Sequence, residues 1–117
     1  MADQIQLVGT LKCRATQKVS RFLKERGIKF HFLDLNQKPL SQGELNNISK
    51  SIALEELLDI ESKEYKKLNL KFMVFDVEKV LLEYPYLIKT PIIRFKGKAY
   101  LESENDALKL IFKDLLH

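Results

Sequence analysis

The spacing of apolar residues changes period several times along the chain, and each change marks a new element. Ile5, Leu7 and Val8 predict a short strand over Ile5–Gly9, followed by a loop at Thr10-Leu11-Lys12-Cys13. From Ala15 the spacing turns helical, with Ala15, Val19, Phe22 and Leu23 on one face. Gly27 closes that helix as a residue free to take positive φ. Ile28–Leu35 predicts a second strand, apolar at Ile28, Phe30 and Phe32 and then at Leu33 and Leu35, the pattern of a strand covered on both sides. Strand, helix and strand in that order predict a right-handed βαβ unit with parallel strands. Ser41 with Glu44 three residues later makes a capping box for a helix whose inner face is Leu45, Ile48 and Ile52. Leu54, Leu57 and Leu58 predict a further short helix, and Tyr65 and Leu68 another. Asp76 is placed to cap Val77–Glu83, with Val77, Val80, Leu81 and Tyr84 inward and Pro85 as the stop.

The last third reads differently. Pro91–Phe95 and Lys98–Leu101 are β-type runs separated by Lys96-Gly97, a tight hairpin signal. Ser103 then caps a final helix with Ala107, Leu108, Ile111, Phe112 and Leu115 on its inner side. The order β-α-β, helical segment, β-β-α predicts an α/β fold: a thioredoxin-like βαβ–ββα core with an inserted helical segment. No repeat, low-complexity tract or linker interrupts it, so residues 1–117 are expected to form one domain. A chain of 117 residues buries enough surface to need no disulfide or metal staple.

Composition narrows the function classes. With 45% hydrophobic and 31% charged residues the chain is globular in character, not a disordered one. Apolar runs reach only three or four residues, as at Phe72–Phe75, so no membrane span is expected. Met1-Ala2-Asp3-Gln4 shows no basic, apolar and small-residue succession, so no secretory leader is expected. Twenty Lys and Arg against sixteen Asp and Glu give a net charge of +4, spread along the chain. The densest cluster, Lys63, Lys66, Lys67 and Lys71, is interleaved with Glu61 and Glu64 and reads as a solvated helix face, so nucleic-acid binding is not expected. The single cysteine cannot form an internal disulfide and suits a reducing cytosol, which predicts a cytoplasmic protein.

Cys13 is where chemistry is expected. It lies between a strand end and a helix start, where the free N–H groups of the first turn favour a thiolate, and Lys12 and Arg14 place positive charge on either side. The alternative is a small buried residue, since free cysteine is often buried. The same N–H groups form an anion cradle to which Thr16 and Lys18 add donors. Thr90-Pro91 is the second constellation: a proline opening a strand has no ladder N–H to lose. In a thioredoxin-like fold the proline at this place is cis and faces the cysteine, with backbone groups of the preceding residue free to pair with a peptide or thiol ligand. His31, between Phe30 and Phe32, reads as structural. One cysteine and two distant histidines cannot build a zinc site. Gly9, Gly27, Gly43 and Gly97 match neither a dinucleotide fingerprint nor a P-loop.

These features together resemble the arsenate reductase-like family, which includes arsenate reductases and Spx-type transcriptional regulators. The resemblance spans nearly the whole chain. It rests on Cys13 after the first strand, Glu25-Arg26-Gly27-Ile28, Lys38-Pro39-Leu40-Ser41 with Glu44-Leu45, the run Glu83-Tyr84-Pro85-Tyr86-Leu87-Ile88-Lys89-Thr90-Pro91-Ile92-Ile93, and Lys96-Gly97-Lys98-Ala99. It implies a nucleophilic Cys13. The departures are as informative. Arsenate-reducing members surround the cysteine with arginines. The one preceding a Leu-Leu pair aligns with Glu55, the one before the proline with Thr90, and the one after the hairpin with the neighbourhood of Ser103. Lys12, Arg14, Lys89 and Arg94 remain as substitutes. A Cys-x-x-Cys switch of the regulator kind would need a second thiol where Thr16 stands.

The resulting expectation is a cytosolic thiol-redox protein with no bound cofactor. Cys13 would start an exchange that glutathione, as co-substrate, or a partner protein's thiol completes, with Lys12, Arg14, Thr16, Thr90, Pro91 and Arg94 around the ligand. A non-catalytic Spx-like regulatory or interaction protein is the alternative, and true arsenate reduction comes third.

Overall fold

Ile5, Leu7 and Val8 form the strand that their alternation predicts, and the rest of the sheet is laid beside it. The computed structural model describes residues 5–101, apart from the Phe72 side chain. The chain runs β1 (Ile5–Gly9), α1 (Arg14–Glu25), β2 (Phe30–Asp34), α2 (Gln42–Ser49), α3 (Leu54–Leu57), α4 (Lys63–Lys67), α5 (Val77–Glu83), β3 (Ile92–Phe95) and β4 (Lys98–Leu101). Single turns of 3-10 helix occupy Leu70–Phe72 and Pro85–Leu87. The final helix expected after Ser103 lies outside the described residues.

One sheet holds all four strands in the order β2-β1-β3-β4. β1 runs parallel to β2, from Ile5 opposite Phe30 to Gly9 opposite Asp34, with α1 as the crossover. β3 is antiparallel to β1, with Val8 opposite Ile92, and β4 is antiparallel to β3. This is the expected thioredoxin-like α/β core, with α2 to α5 inserted between its βαβ and ββ halves.

Alternation along β1 divides the apolar side chains between two layers. Ile5 and Leu7 join Val19 and Leu23 of α1 with Ile93 and Phe95 of β3 on one face. Val8 and Ile92 face the other way, onto Leu45, Ile48, Leu57, Leu81 and Leu87 from the inserted helices. A fully buried Leu or Ile contributes roughly 1.5–3 kcal/mol, so these two layers dominate the stability.

Local signals account for where elements begin and end. Ser41 Oγ accepts from the Glu44 N–H at 3.1 Å while Glu44 Oε1 accepts from the Ser41 N–H at 2.9 Å, the reciprocal capping box. Asp76 caps α5 by accepting from the Glu78 N–H at 3.0 Å. In the β3–β4 turn both central residues have positive φ, 53° at Lys96 and 77° at Gly97, the combination that matches the twist of a two-residue hairpin.

The second strand is shorter than expected, but both its faces are covered: Leu33 and Leu35 pack on one core and Ile28, Phe30 and Phe32 on the other. The strand runs Phe30–Asp34, inside the expected Ile28–Leu35, and lies at the sheet edge. His31 is exposed, and Phe30, Phe32, Leu33 and Asp34 are half-buried. An edge strand has a neighbour on one side alone, and a continuous apolar run does not reveal which strands occupy the edges.

Two substitutions should separate capping from packing. Ser41→Ala is expected to cost about 1 kcal/mol through loss of the cap. Leu45→Ala, at a side chain with no exposed surface, is expected to cost about 2–5 kcal/mol through transfer and cavity effects. Urea midpoints measure both, and equal losses would contradict this division.

Candidate functional site around Cys13

β1 ends at Gly9, and the chain turns at once into α1. The Cys13 N–H donates to Thr10 O at 3.2 Å, closing the turn, and the Gln17 N–H donates to Cys13 O at 3.0 Å, starting the helix. Cys13 is therefore the N-cap of α1, in extended conformation at φ −80° and ψ 117°. Its side chain stands over the first helical turn, where backbone N–H groups have no intrahelical partner.

The opposite wall comes from the distant segment before β3. Continuing the β1–β3 register one step beyond Val8 and Ile92 sets Pro91 opposite Gly9. The Thr90–Pro91 peptide is cis, and the Cys13 thiol donates a long hydrogen bond to Thr90 O at 3.8 Å. Backbone hydrogen bonds anchor the lead-in to this segment on the end of α3 and the residues after it: the Asp59 N–H donates to Leu87 O at 2.8 Å, and the Lys89 N–H to Leu57 O at 2.7 Å. The inserted helices thus hold Thr90 across from the cysteine.

Burial is the largest single influence on the Cys13 thiol and pushes its pKa up. Donor groups near the sulfur, the Thr16 and Thr90 hydroxyls and the backbone N–H groups of Thr16 and Ala15, favour the thiolate and together outweigh it, leaving the pKa below the ordinary thiol value. Lys12 and Arg14, expected to supply this effect, are exposed and do not contribute to it. A charge on a long side chain in water is screened, whereas a donor at contact distance is not.

The chain matches the ArsC family over residues 9–111, which includes β1's last residue, Cys13 and Thr90-Pro91. It belongs to the ArsC family. Among curated relatives it is 30% identical to the global transcriptional regulator Spx 2 of Oceanobacillus iheyensis over 86 residues, covering 69% of this chain. The chain spans 64% of the length of that relative. Among solved structures it is similar to an arsenate reductase from Vibrio cholerae, at 20% identity and a TM-score of 0.75, covering 86% of this chain and 91% of that one. An arsenate reductase (ArsC) related protein from Brucella melitensis gives 22% identity and a TM-score of 0.68, covering 86% and 88%. These likenesses establish the fold.

Within this ArsC-family fold the expected site residues separate into three groups. Cys13, Thr16, Thr90 and Pro91 come together at the end of β1. Lys12 and Arg14 flank the thiol along the chain but are exposed. Arg94 is not brought to the cysteine. It pairs with Gln6 in the sheet, three residues back along β1 from Gly9, and its guanidinium donates to Gln6 Oε1 at 2.6 Å. Three strand residues span about 10 Å along the strand. Glu55 is exposed in the first turn of α3, and Ser103 lies outside the described residues.

Two features went unread in the sequence. Thr16, expected to reach a ligand, is 2% exposed. Gly9 is the reason it fits, because a Cβ there would lie 2.7 Å from Thr16 Cγ2 and closer still to Oγ1. A glycine closing a strand was the available signal, since glycine in strands often marks a close approach.

The lowered pKa has a stability consequence of definite sign. Between the folded-state pKa of Cys13 and the higher ordinary thiol value the unfolded chain holds the extra proton, so stability rises with pH across that window. The contribution is fully present above the unfolded pKa and is lost as pH falls through the folded one. The difference in urea midpoint between wild type and Cys13→Ser should grow with pH through this window. A difference that stays flat would contradict the lowered pKa.

Proposed function

We propose that the chain is a cytosolic single-thiol redox protein in which Cys13 begins a thiol–disulfide exchange and an outside thiol completes it. The observation that carries this reading is the placement of the only cysteine, half-buried at the N-terminus of α1 and 3.8 Å from Thr90 O. In the first step the Cys13 thiolate attacks one sulfur of oxidised glutathione, forming a mixed disulfide and releasing one glutathione thiolate. In the second, a thiolate from a partner protein or from glutathione attacks that mixed disulfide, regenerating the Cys13 thiolate. With no second cysteine in the chain, resolution from within is impossible. Backbone groups of Thr90 would align the incoming disulfide, and exposed Lys12 and Arg14 would attract the carboxylates of glutathione.

The match to an Spx regulator favours a second reading, in which Cys13 is a sensor and the surface of the domain engages a protein partner. Arsenate reduction fits less well. Glu55 stands where the resemblance implies an arginine, and each lost charge-assisted bond to the oxyanion is worth about 1.5–3 kcal/mol.

Treatment with oxidised glutathione, followed by intact-protein mass spectrometry, should give one adduct that maps to Cys13, formed more slowly in Thr90→Ala. Absence of any adduct would overturn the single-thiol reading and leave the interaction module. In the same preparation, arsenate turnover with glutathione and glutaredoxin should be negligible. Robust turnover abolished by Cys13→Ser would show that other cations replace the missing arginines.

A further inference from the structure

Among the described residues, Thr16 Oγ1 is buried and has no hydrogen-bond partner. That is costly, because a buried hydroxyl left unpaired is destabilising relative to a satisfied one. A threonine whose hydroxyl did nothing would be better replaced by valine, which has the same shape.

Its position says which group it serves. Cys13 is the N-cap of α1 and Thr16 the third residue inside the helix. Those are the two positions whose side chains and backbone exchange hydrogen bonds in a capping box. The fold has also cleared space for this hydroxyl. Gly9, at the end of β1, carries no side chain at the point where any Cβ would strike Thr16.

We propose that Thr16 is a positioning residue that donates its hydroxyl hydrogen to the Cys13 thiolate from inside the fold, at a place that Gly9 keeps open. The hydroxyl keeps its proton throughout, and no bond is made or broken. The Thr16 and Ala15 backbone N–H groups act on the same sulfur, so the first turn of α1 supplies three donors, one of them from a side chain. The thiol form leaves the hydroxyl unpaired and the thiolate pairs it, so deprotonation relieves a defect in the folded state. The charged residues adjoining the site along the chain are Lys12 in the loop, Arg14 in α1 and Lys89 before Thr90, and none of them shifts the thiol. The role differs from that of a ligand-binding donor, because a side chain 2% exposed behind the sulfur does not face incoming substrate.

This inference rests on Cys13 being the reactive thiol, and it is tested without glutathione. The pH dependence of iodoacetamide alkylation is measured for the full chain and for Thr16→Val, Thr16→Ser and Gly9→Ala. Thr16→Val should move the midpoint up by about one pH unit, which is about tenfold slower alkylation below both midpoints. Thr16→Ser, which keeps the donor, should stay near wild type. Gly9→Ala should raise the midpoint as well, and the double variant Gly9→Ala/Thr16→Val should raise it no further than Thr16→Val alone. Thr16→Ala stands in if the valine variant does not fold. A folded Thr16→Val or Thr16→Ala with the wild-type midpoint overturns the proposal, as does Thr16→Ser titrating with Thr16→Val. Wild-type midpoints across the variants alongside a normal glutathione adduct would remove Thr16 and leave the single-thiol reading standing. The expected shifts without any adduct would do the reverse.

Discussion

β1 has a hydrogen-bonded neighbour on each side, and the surroundings of Cys13 follow from that double pairing. The parallel partner β2 requires a crossover, so a helix must start soon after Gly9 and its N-terminus faces the end of the sheet. The antiparallel partner β3 fixes which distant residues arrive at the same end, and its register delivers Thr90 and Pro91. Burial of Leu7, Val8, Ile92 and Ile93, none with exposed surface, specifies this register strongly. A slip of one residue would turn each of them onto the opposite face.

The site is thus made of short-range donors on a rigid frame. Its thiol is tuned by hydroxyl and backbone hydrogen bonds acting against the cost of burial, with the flanking cations playing no part. That arrangement suits a single-thiol protein. Cys13 is half-buried, with its sulfur 3.8 Å from Thr90 O and the buried Thr16 two residues into the helix beyond Arg14.

What was legible in the sequence was what is local. Ser41 with Glu44, Asp76 ahead of Val77, and Lys96-Gly97 each complete their interaction within a few residues, so spacing alone placed those elements. Cys13 at the start of α1 was legible for the same reason. What the sequence did not reveal is mostly set by pairings between elements. Arg94 is spent on Gln6 across the β1–β3 pairing, and no feature near position 94 announces it. The edge position of β2 is a property of the whole sheet. The burial of Thr16 depends on the missing side chain of Gly9, seven positions away and in another element. Lys12 and Arg14 are exposed beside Cys13, because adjacency in sequence places charges near a group without aiming them at it.

The most direct test of this balance is a titration of the thiolate by its ultraviolet absorbance in wild type and in the double variant Lys12→Ala/Arg14→Ala. If hydrogen bonds from the first turn of α1 and from Thr90 set the thiol, the two midpoints coincide, both below that of a cysteine in an unstructured peptide. A double variant whose midpoint rises by about one unit or more, equivalent to roughly 1.4 kcal/mol, would show that the flanking cations hold the thiolate and would contradict it.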